Sequence, residues 1–581
     1  MPLPASARFA KSWGAEPLHD GRWCFSLWAP DAQGVSVALA AGLIPLENEA
    51  DGWWSIEAAA APGESYRFHV DGTAYPDPAA RAQEGDVHGP SLLVDPQEFD
   101  WQNDWDGLPW SEAAVYELHL GTFTEEGTFA AAARALPRLR DLGVTLVELL
   151  PVAQFDGRHG WGYDGVLPYA PHNAYGSPDD FRRFVDAAHG LGMGVLLDVV
   201  YNHLGPSGNY LSAWCPSFFH AGRSSPWGQG IAYEIPAVRD YFLENALYWL
   251  TEYRLDGLRL DAVHAIEDHS DRHFLDELGE RVRAADWGRP IHLVTEDERN
   301  LARYFAPDAP FDATWNDDWH HAVHCLLTGE DEAYYAPFAV DPLADIETAL
   351  RDGYVEQGQQ RPAAKAPRGE PSGALPRTAF VNFLGNHDQV GNRARGERLH
   401  QLVADRTALR VASALTMLAP FVPMIFMGDE FLTDAPFLFF ADFTGDLAEA
   451  VRKGRAAEFA QFKAFGGEVP DPISPETFAA SRIGRPRRQE QREHERFLSE
   501  LLSLRRAHVM PLLAVNPAPI AAVRREGAAI EAVWDFGEAR LSLRACLGDA
   551  PFTPHGDPLL VLTGADSPFA FSAALLPDRH T

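Results

Sequence analysis

GVLLDVVYNH, residues 194–203, decides the fold. Its start is apolar apart from Asp198, and its end carries Asn202 and His203. A short apolar run that turns polar at its C-terminal end reads as a strand of a parallel sheet, buried on both faces. The same pattern occurs upstream in AVYELHL (114–120) and VTLVELLPV (144–152). Downstream it recurs in DGLRLDAV (256–263), IHLVTED (291–297), ATWND (313–317), TAFVNFLGNHD (378–388) and VPMIFMGDE (422–430). The segments between have helical periodicity. SPDDFRRFVDAAHGLG (177–192), for instance, opens on a serine cap and closes on glycine. Eight strand–helix units predict an α/β chain built on a closed (β/α)₈ TIM barrel rather than an open doubly wound sheet. No glycine-rich phosphate fingerprint follows any strand, which weakens a nucleotide-binding reading.

Outward from this core the pattern changes. Before it, RWCFSLWAP (22–30), GVSVAL (34–39), GWWSIEA (52–58) and SYRFHVDG (65–72) read as short strands parted by turn residues, a small β-sandwich. Residues 90–110 read as a linker, and from about 511 short strands and turns resume. The chain is therefore expected to divide into an N-terminal β-sandwich (1–97), a catalytic barrel with insertions (98–510) and a C-terminal β domain (511–581). Two excursions, 330–377 and 431–490, interrupt the barrel. Both follow strand ends, so either can reach the active face; a surface insertion is the alternative for the first.

Composition narrows the function. A formal charge of −35 argues against nucleic-acid or anionic-membrane partners. Lysine occurs only at Lys11, Lys365, Lys453 and Lys463, so arginine supplies nearly every cation. No apolar stretch approaches the roughly 20 residues that span a bilayer. The N-terminus MPLPASARFAKSWG lacks the apolar segment of a secretory signal. Cys24, Cys215, Cys325 and Cys546 have no metal or disulfide spacing, and a cytoplasmic location is expected. Trp53 and Trp54 in the N-terminal strands could meet glucan, but packing is the better reading.

The candidate chemistry lies where charge collects at successive strand ends: Asp198, Asn202 and His203; Arg259 and Asp261; Glu296, Asp297 and Glu298; Asn386, His387 and Asp388. Any one could be a helix cap or a paired core residue. Four strands converging on one mouth suit acetal cleavage, in which a nucleophilic carboxylate and a protonated carboxyl work about 5–5.5 Å apart. Arg259, two residues before Asp261, points to the same side of its strand and would keep that carboxylate ionised.

DVVYNH (198–203), GLRLDAVH (257–264), TED (295–297) and FLGNHD (383–388) resemble, in order, the four signature segments of the α-amylase superfamily of glycoside hydrolases. The resemblance covers about 114–430. It implies Asp261 as nucleophile, Glu296 as acid/base and Asp388 as the third carboxylate, on the sugar hydroxyls. It further implies Arg259, His203 and His387 as substrate-side groups and Tyr163, in GWGYDG (160–165), stacked on the same ring. Asn202 resembles a calcium ligand of some amylases, but no companion ligands can be identified; neither metal nor cofactor is expected.

A narrower resemblance is to the maltooligosyltrehalose trehalohydrolases, through GWGYDGVLPYAP (160–171), DAVHAI (261–266), TEDERN (295–300), WNDDWHHAVH (315–324), PFLFFADF (436–443) and LAEAVRKGR (447–455). FSLWAPDA (25–32) and YPDPAARAQ (75–83) are similar to the glycan-associated module of branching and debranching enzymes. The resemblance implies maltooligosyltrehalose as substrate, trehalose as product and a functional pairing with a maltooligosyltrehalose synthase. It makes His264, Asp297, Trp315 and Asp317 candidates for binding substrate, the last three (with Trp319) on the leaving-group side. An α-glucan branching or debranching enzyme is the alternative, and a non-catalytic glycan-binding protein a more distant one.

Overall fold

The computed structural model describes residues 8–224, 228–459, 469–554 and 556–577. Residues 460–468 of the second excursion lie outside them. The barrel strands are β1 (Val115–Leu118), β2 (Leu146–Leu149), β3 (Gly194–Val199), β4 (Gly257–Leu260), β5 (His292–Thr295), β6 (Ala313–Trp315), β7 (Phe380–Phe383) and β8 (Val422–Phe426). All pair in parallel, and β8 closes on β1 with Met424 opposite Val115. The chain is an α/β protein on a closed eight-stranded barrel, with a β-sandwich before it and a β-sheet after it.

Residues two apart on a strand share a face, and this period layers the interior. Val115, Leu146, Leu196, Val294, Val381 and Val422 form an apolar floor. One step toward the C-terminal end, Glu117, Glu148, Asp198 and Arg259 are all buried. Trp105, Leu108 and Trp110, from the irregular segment before β1, close the opposite end against that floor.

Helices return the chain outside the barrel. Over Pro178–Gly190 the Ser177 side chain and Asp180 form a reciprocal capping box, which is why the helix starts there. The first excursion is not a loose surface loop: Arg361 binds Asp345 at 2.5 Å and Arg368 binds Asp318 at 3.0 Å, folding it onto the barrel rim.

In the N-terminal region two antiparallel sheets face each other. The strands Arg22–Trp28, Val35–Leu39, Trp53–Ala59 and Ser65–Val70 fall where the sequence places them. Trp53 meets Trp13 edge-on at 5.5 Å, and Trp54 is buried with its Nε1 donating to the Ala29 carbonyl at 3.1 Å, so both tryptophans pack. At the other end, a helix over Met510–Val515 precedes the first strand, Ile520–Glu526, so the strands resume later than the turn residues suggest. That five-stranded sheet packs on the barrel helix Arg406–Leu418. The four cysteines are free thiols, and no described helix is long and apolar enough to cross a membrane.

Between sandwich and barrel lies a buried ion cluster. Arg81 binds Glu252 of the helix Pro236–Glu252 at 2.6 Å and Glu16 at 2.9 Å, and Lys11 binds Glu16 at 3.1 Å. Breaking one side of such a buried pair leaves an uncompensated charge, at a cost of about 3–5 kcal/mol. Arg81→Met should therefore lower stability by an amount in that range, read from the urea midpoint. Adding Glu252→Leu should restore most of it, because the stranded carboxylate is then gone.

Candidate active site

At the C-terminal end of β4 the Arg259 side chain is fully buried. A guanidinium there must be neutralised, and its fork meets three carboxylates. Nη1 lies 2.6 Å from Asp198 and 2.8 Å from Asp261, and Nη2 lies 2.7 Å from Glu296. The Trp315 ring lies 3.9 Å from the Arg259 Cζ, a cation–π contact beneath the cluster. Asp261 and Glu296 thus stand within reach of one guanidinium, from adjacent strand ends.

Backbone geometry completes each position. Asn202 donates to Asp261 Oδ2 at 2.8 Å and to its carbonyl at 3.0 Å. Asn202 Oδ1 in turn meets His203 Nδ1. Ala262 adopts φ 40°, the left-handed region that costs a residue with a side chain about 1–2 kcal/mol. That conformation lets its N–H donate to Glu296 Oε2 at 3.0 Å. Both donors to Glu296 therefore fall on Oε2.

The third carboxylate comes from the turn after β7. Asn386 caps the short helix His387–Gly391, accepting from the Asp388 amide at 2.9 Å. His387 reaches Glu117 of β1 through Nδ1 at 2.6 Å, and its Nε2 lies 3.5 Å from Asp388. Tyr163 stacks on His387 with centroids 5.2 Å apart, and its hydroxyl donates to Asp198 at 2.7 Å. His203 holds the Tyr163 carbonyl through Nε2 at 3.0 Å.

Electrostatics follow from burial and these partners. Burial pushes the Asp198 carboxyl up to about 7, with Asp261 adding to the rise and Arg259 opposing it. Asp317 also rises to about 7, through burial and then the Glu296 and Asp388 charges. Burial drops His203 to about 4, with the bond to the Tyr163 carbonyl opposing the fall. His387 goes the other way: burial works against its charge, but Asp388 and Glu117 raise it to about 9.

These groups open into a cleft of about 780 Å³. Tyr163, His203, Asp261, His264, Glu296, Asp317, His387 and Asp388 line it. Asp297 and Trp315 do not. Both Asp297 oxygens pair with Arg299, and Trp315 lies buried beneath Arg259 and edge-on to His387. Trp319 is likewise in the core. Tyr334 and Arg368 of the first excursion, and Phe439, Val451 and Arg455 of the second, form walls that the strand motifs gave no means of naming. Glu117 was missed too, although a carboxylate inside the apolar run AVYELHL is as anomalous as Asp198 in β3. Among the described residues no group of three or more His, Cys, Asp or Glu side chains is arranged to hold a metal ion.

Comparison with known proteins agrees with this geometry. Residues 94–215 match the α-amylase catalytic domain, and residues 12–96 match carbohydrate-binding module 48, the isoamylase N-terminal domain. The malto-oligosyltrehalose trehalohydrolase of Deinococcus radiodurans is 43% identical over 85% of this chain and 82% of its own length. That of Arthrobacter ramosus is 40% identical over 91% and 93%. A glucan branching enzyme of Rhodospirillum rubrum, at 34% identity, spans only 44% of this chain. Among solved structures, a putative α-amylase from Salmonella typhimurium superposes with a TM-score of 0.93 at 47% identity, covering 98% of this chain and all of its own. On the barrel and these relatives, the chain belongs to the malto-oligosyltrehalose trehalohydrolase family.

Proposed function

We propose that this chain hydrolyses the α-1,4-glucosidic bond next to the terminal trehalose of maltooligosyltrehalose, releasing trehalose with retention of configuration. The observation that carries the reading is the Arg259 fork, which holds Asp261 and Glu296 side by side at the floor of an open cleft. The relatives' names give the substrate class. The units expected from sequence divide the work: 1–97 is a glycan-associated module, 98–510 the catalytic unit and 511–581 a supporting β domain. A cytoplasmic location, which the free thiols fit, and pairing with the synthase that makes the substrate complete the proposal.

In this mechanism an Asp261 oxygen attacks the anomeric carbon while Glu296 gives its proton to the glycosidic oxygen. Trehalose leaves with that proton and a glycosyl ester remains on Asp261. Water then attacks the same carbon, loses a proton to Glu296 and frees Asp261. Two inversions return the α-configuration. Arg259 hydrogen-bonds Asp261 and so orients it for attack, and Asp388 and His387 grip the sugar hydroxyls as the ring distorts. Asp317, Tyr334 and Arg368 line the same cleft as Glu296 and are our candidates for the leaving-group side, where the proton is delivered.

Asp261→Asn and Glu296→Gln should each remove most turnover while the barrel still folds, since an amide of the same shape preserves packing and two of the three Arg259 carboxylates remain. Asp388→Asn should lose kcat more than affinity; near-wild-type rates in any of the three would reassign the roles. Proton NMR of the first product should show the α-anomer before mutarotation, and a β-anomer would exclude double displacement. A straight maltosyl end leaves pocket groups unpaired at about 1–3 kcal/mol each, so kcat/KM for maltooligosyltrehalose should exceed that for a malto-oligosaccharide of equal length by about tenfold or more. Equal values, or products without trehalose, would favour a generic amylase or a branching-type enzyme.

A further inference from the structure

Two carboxylates stand side by side inside the barrel that the proposed mechanism does not use. Glu117 of β1 and Glu148 of β2 are register partners, and both are buried. Their surroundings differ. Glu148 has a buried oxygen with no hydrogen-bond partner, and burial, with the neighbouring Glu117 charge, pushes its carboxyl well up. Glu117 instead receives two donors from one residue: His387 Nδ1 at 2.6 Å on Oε1 and the His387 amide at 3.2 Å on Oε2. It grips ring and backbone together.

The rest of the His387 ring is enclosed. Tyr163 stacks on one face at an interplanar angle of 17°, and Trp161 and Trp315 meet it edge-on. The ionisable groups around it are Glu117 on β1, Glu148 on β2, Arg259 on β4, Tyr163 and His119, with Asp388 on its own turn. His119 is neutral, held down to about 3 by burial. Nε2 alone approaches Asp388, at 3.5 Å, where His387 lines the cleft.

This arrangement selects a protonation state. Glu117, as an anion, accepts only and so requires the hydrogen on Nδ1. A neutral ring would then present the Nε2 lone pair to the Asp388 carboxylate and could donate nothing to a sugar hydroxyl. We propose that Glu117 is a positioning residue for glycoside cleavage, fixing the His387 ring with both nitrogens protonated so that Nε2–H is offered beside Asp388 to the sugar. It does so across the barrel seam, from the first strand to the turn after the seventh. Because Glu117 and Asp388 favour the charged ring, the charge-linked part of this contribution to stability is full below about pH 6.5 and is lost as pH rises through about 9, while the Nδ1–H bond to Glu117 remains.

The inference rests on the proposed sugar-cleaving role of the site, but its first test does not. In the full-length free enzyme with ¹³C-labelled histidine, the resonance that disappears in His387→Asn should titrate near pH 9. A midpoint at or below the ordinary 6.5 overturns the proposal whatever the substrate. Glu117→Gln should move that midpoint down by at least about one unit, as loss of a partner charge does. It should lower kcat by about 10- to 100-fold, the range for removing a carboxylate that orients a functional histidine, with KM changed less. The alkaline limb of its kcat profile should shift to lower pH, and adding it to His387→Asn should cost nothing further. An unshifted titration and profile, or full additivity of the two losses, would make Glu117 merely structural. Should Glu117→Gln not fold, Glu117→Asp keeps the charge and must keep the midpoint above 6.5.

Discussion

The Arg259 guanidinium has no solvent to turn to, and much of this molecule is arranged around that fact. A buried cation of this size is tolerated only when its charge is paired, and here both Nη nitrogens meet carboxylates while Nε has no partner among the described residues. Three strands supply them: Asp198 from β3, Asp261 from the end of β4 itself and Glu296 from β5. The same demand that makes Arg259 safe in the core makes the carboxylates converge. The geometry that cleavage needs is thus also the geometry that leaves no buried charge unpaired. Trp315 belongs to this arrangement as a flat support under the cation rather than as a sugar platform.

Much of this was legible from the chain, for one reason. A barrel strand is an apolar run, so each polar residue inside it stands out, and alternation along the strand says which of them share a face. Arg259 with Asp261 could be read this way, as could the cap at Ser177 and the four N-terminal strands. Asp297 and Trp315 misled because a motif fixes a residue on a strand end but not the direction of its side chain. A local partner, Arg299, takes up Asp297 where its motif suggested a free acceptor. Glu117 escaped because its partner lies across the seam and 270 positions along the chain, and nothing in AVYELHL names a residue after β7. The cleft walls were legible only as excursions able to reach the active face, because nothing in the first one singles out Tyr334 or Arg368.

Floor and walls of the cleft thereby have different origins. The floor consists of strand ends, whose positions are set by hydrogen-bonded register. The walls come from the excursions after β6 and β8, anchored by side-chain contacts such as Arg368 on Asp318 and Arg455 on the Gly391 carbonyl. Chain length in these walls can change without disturbing the register below, so substrate preference and bond-breaking chemistry are separable in this architecture.

The pairing of Glu117 with His387 joins residues 270 positions apart in the chain. At the usual pace of ribosomal synthesis, about 5–20 residues per second, roughly a quarter of a minute to a minute separates the emergence of the two. Throughout that interval the nascent chain holds an acidic side chain meant for a dry interior, with its cation not yet made. The early strands must therefore remain wet on their inner face, or hold Glu117 as the neutral acid, until the last quarter-turn of the barrel arrives. Assembly of this enzyme is governed by its seam, and the first barrel strand made is among the last to reach its final electrostatic state.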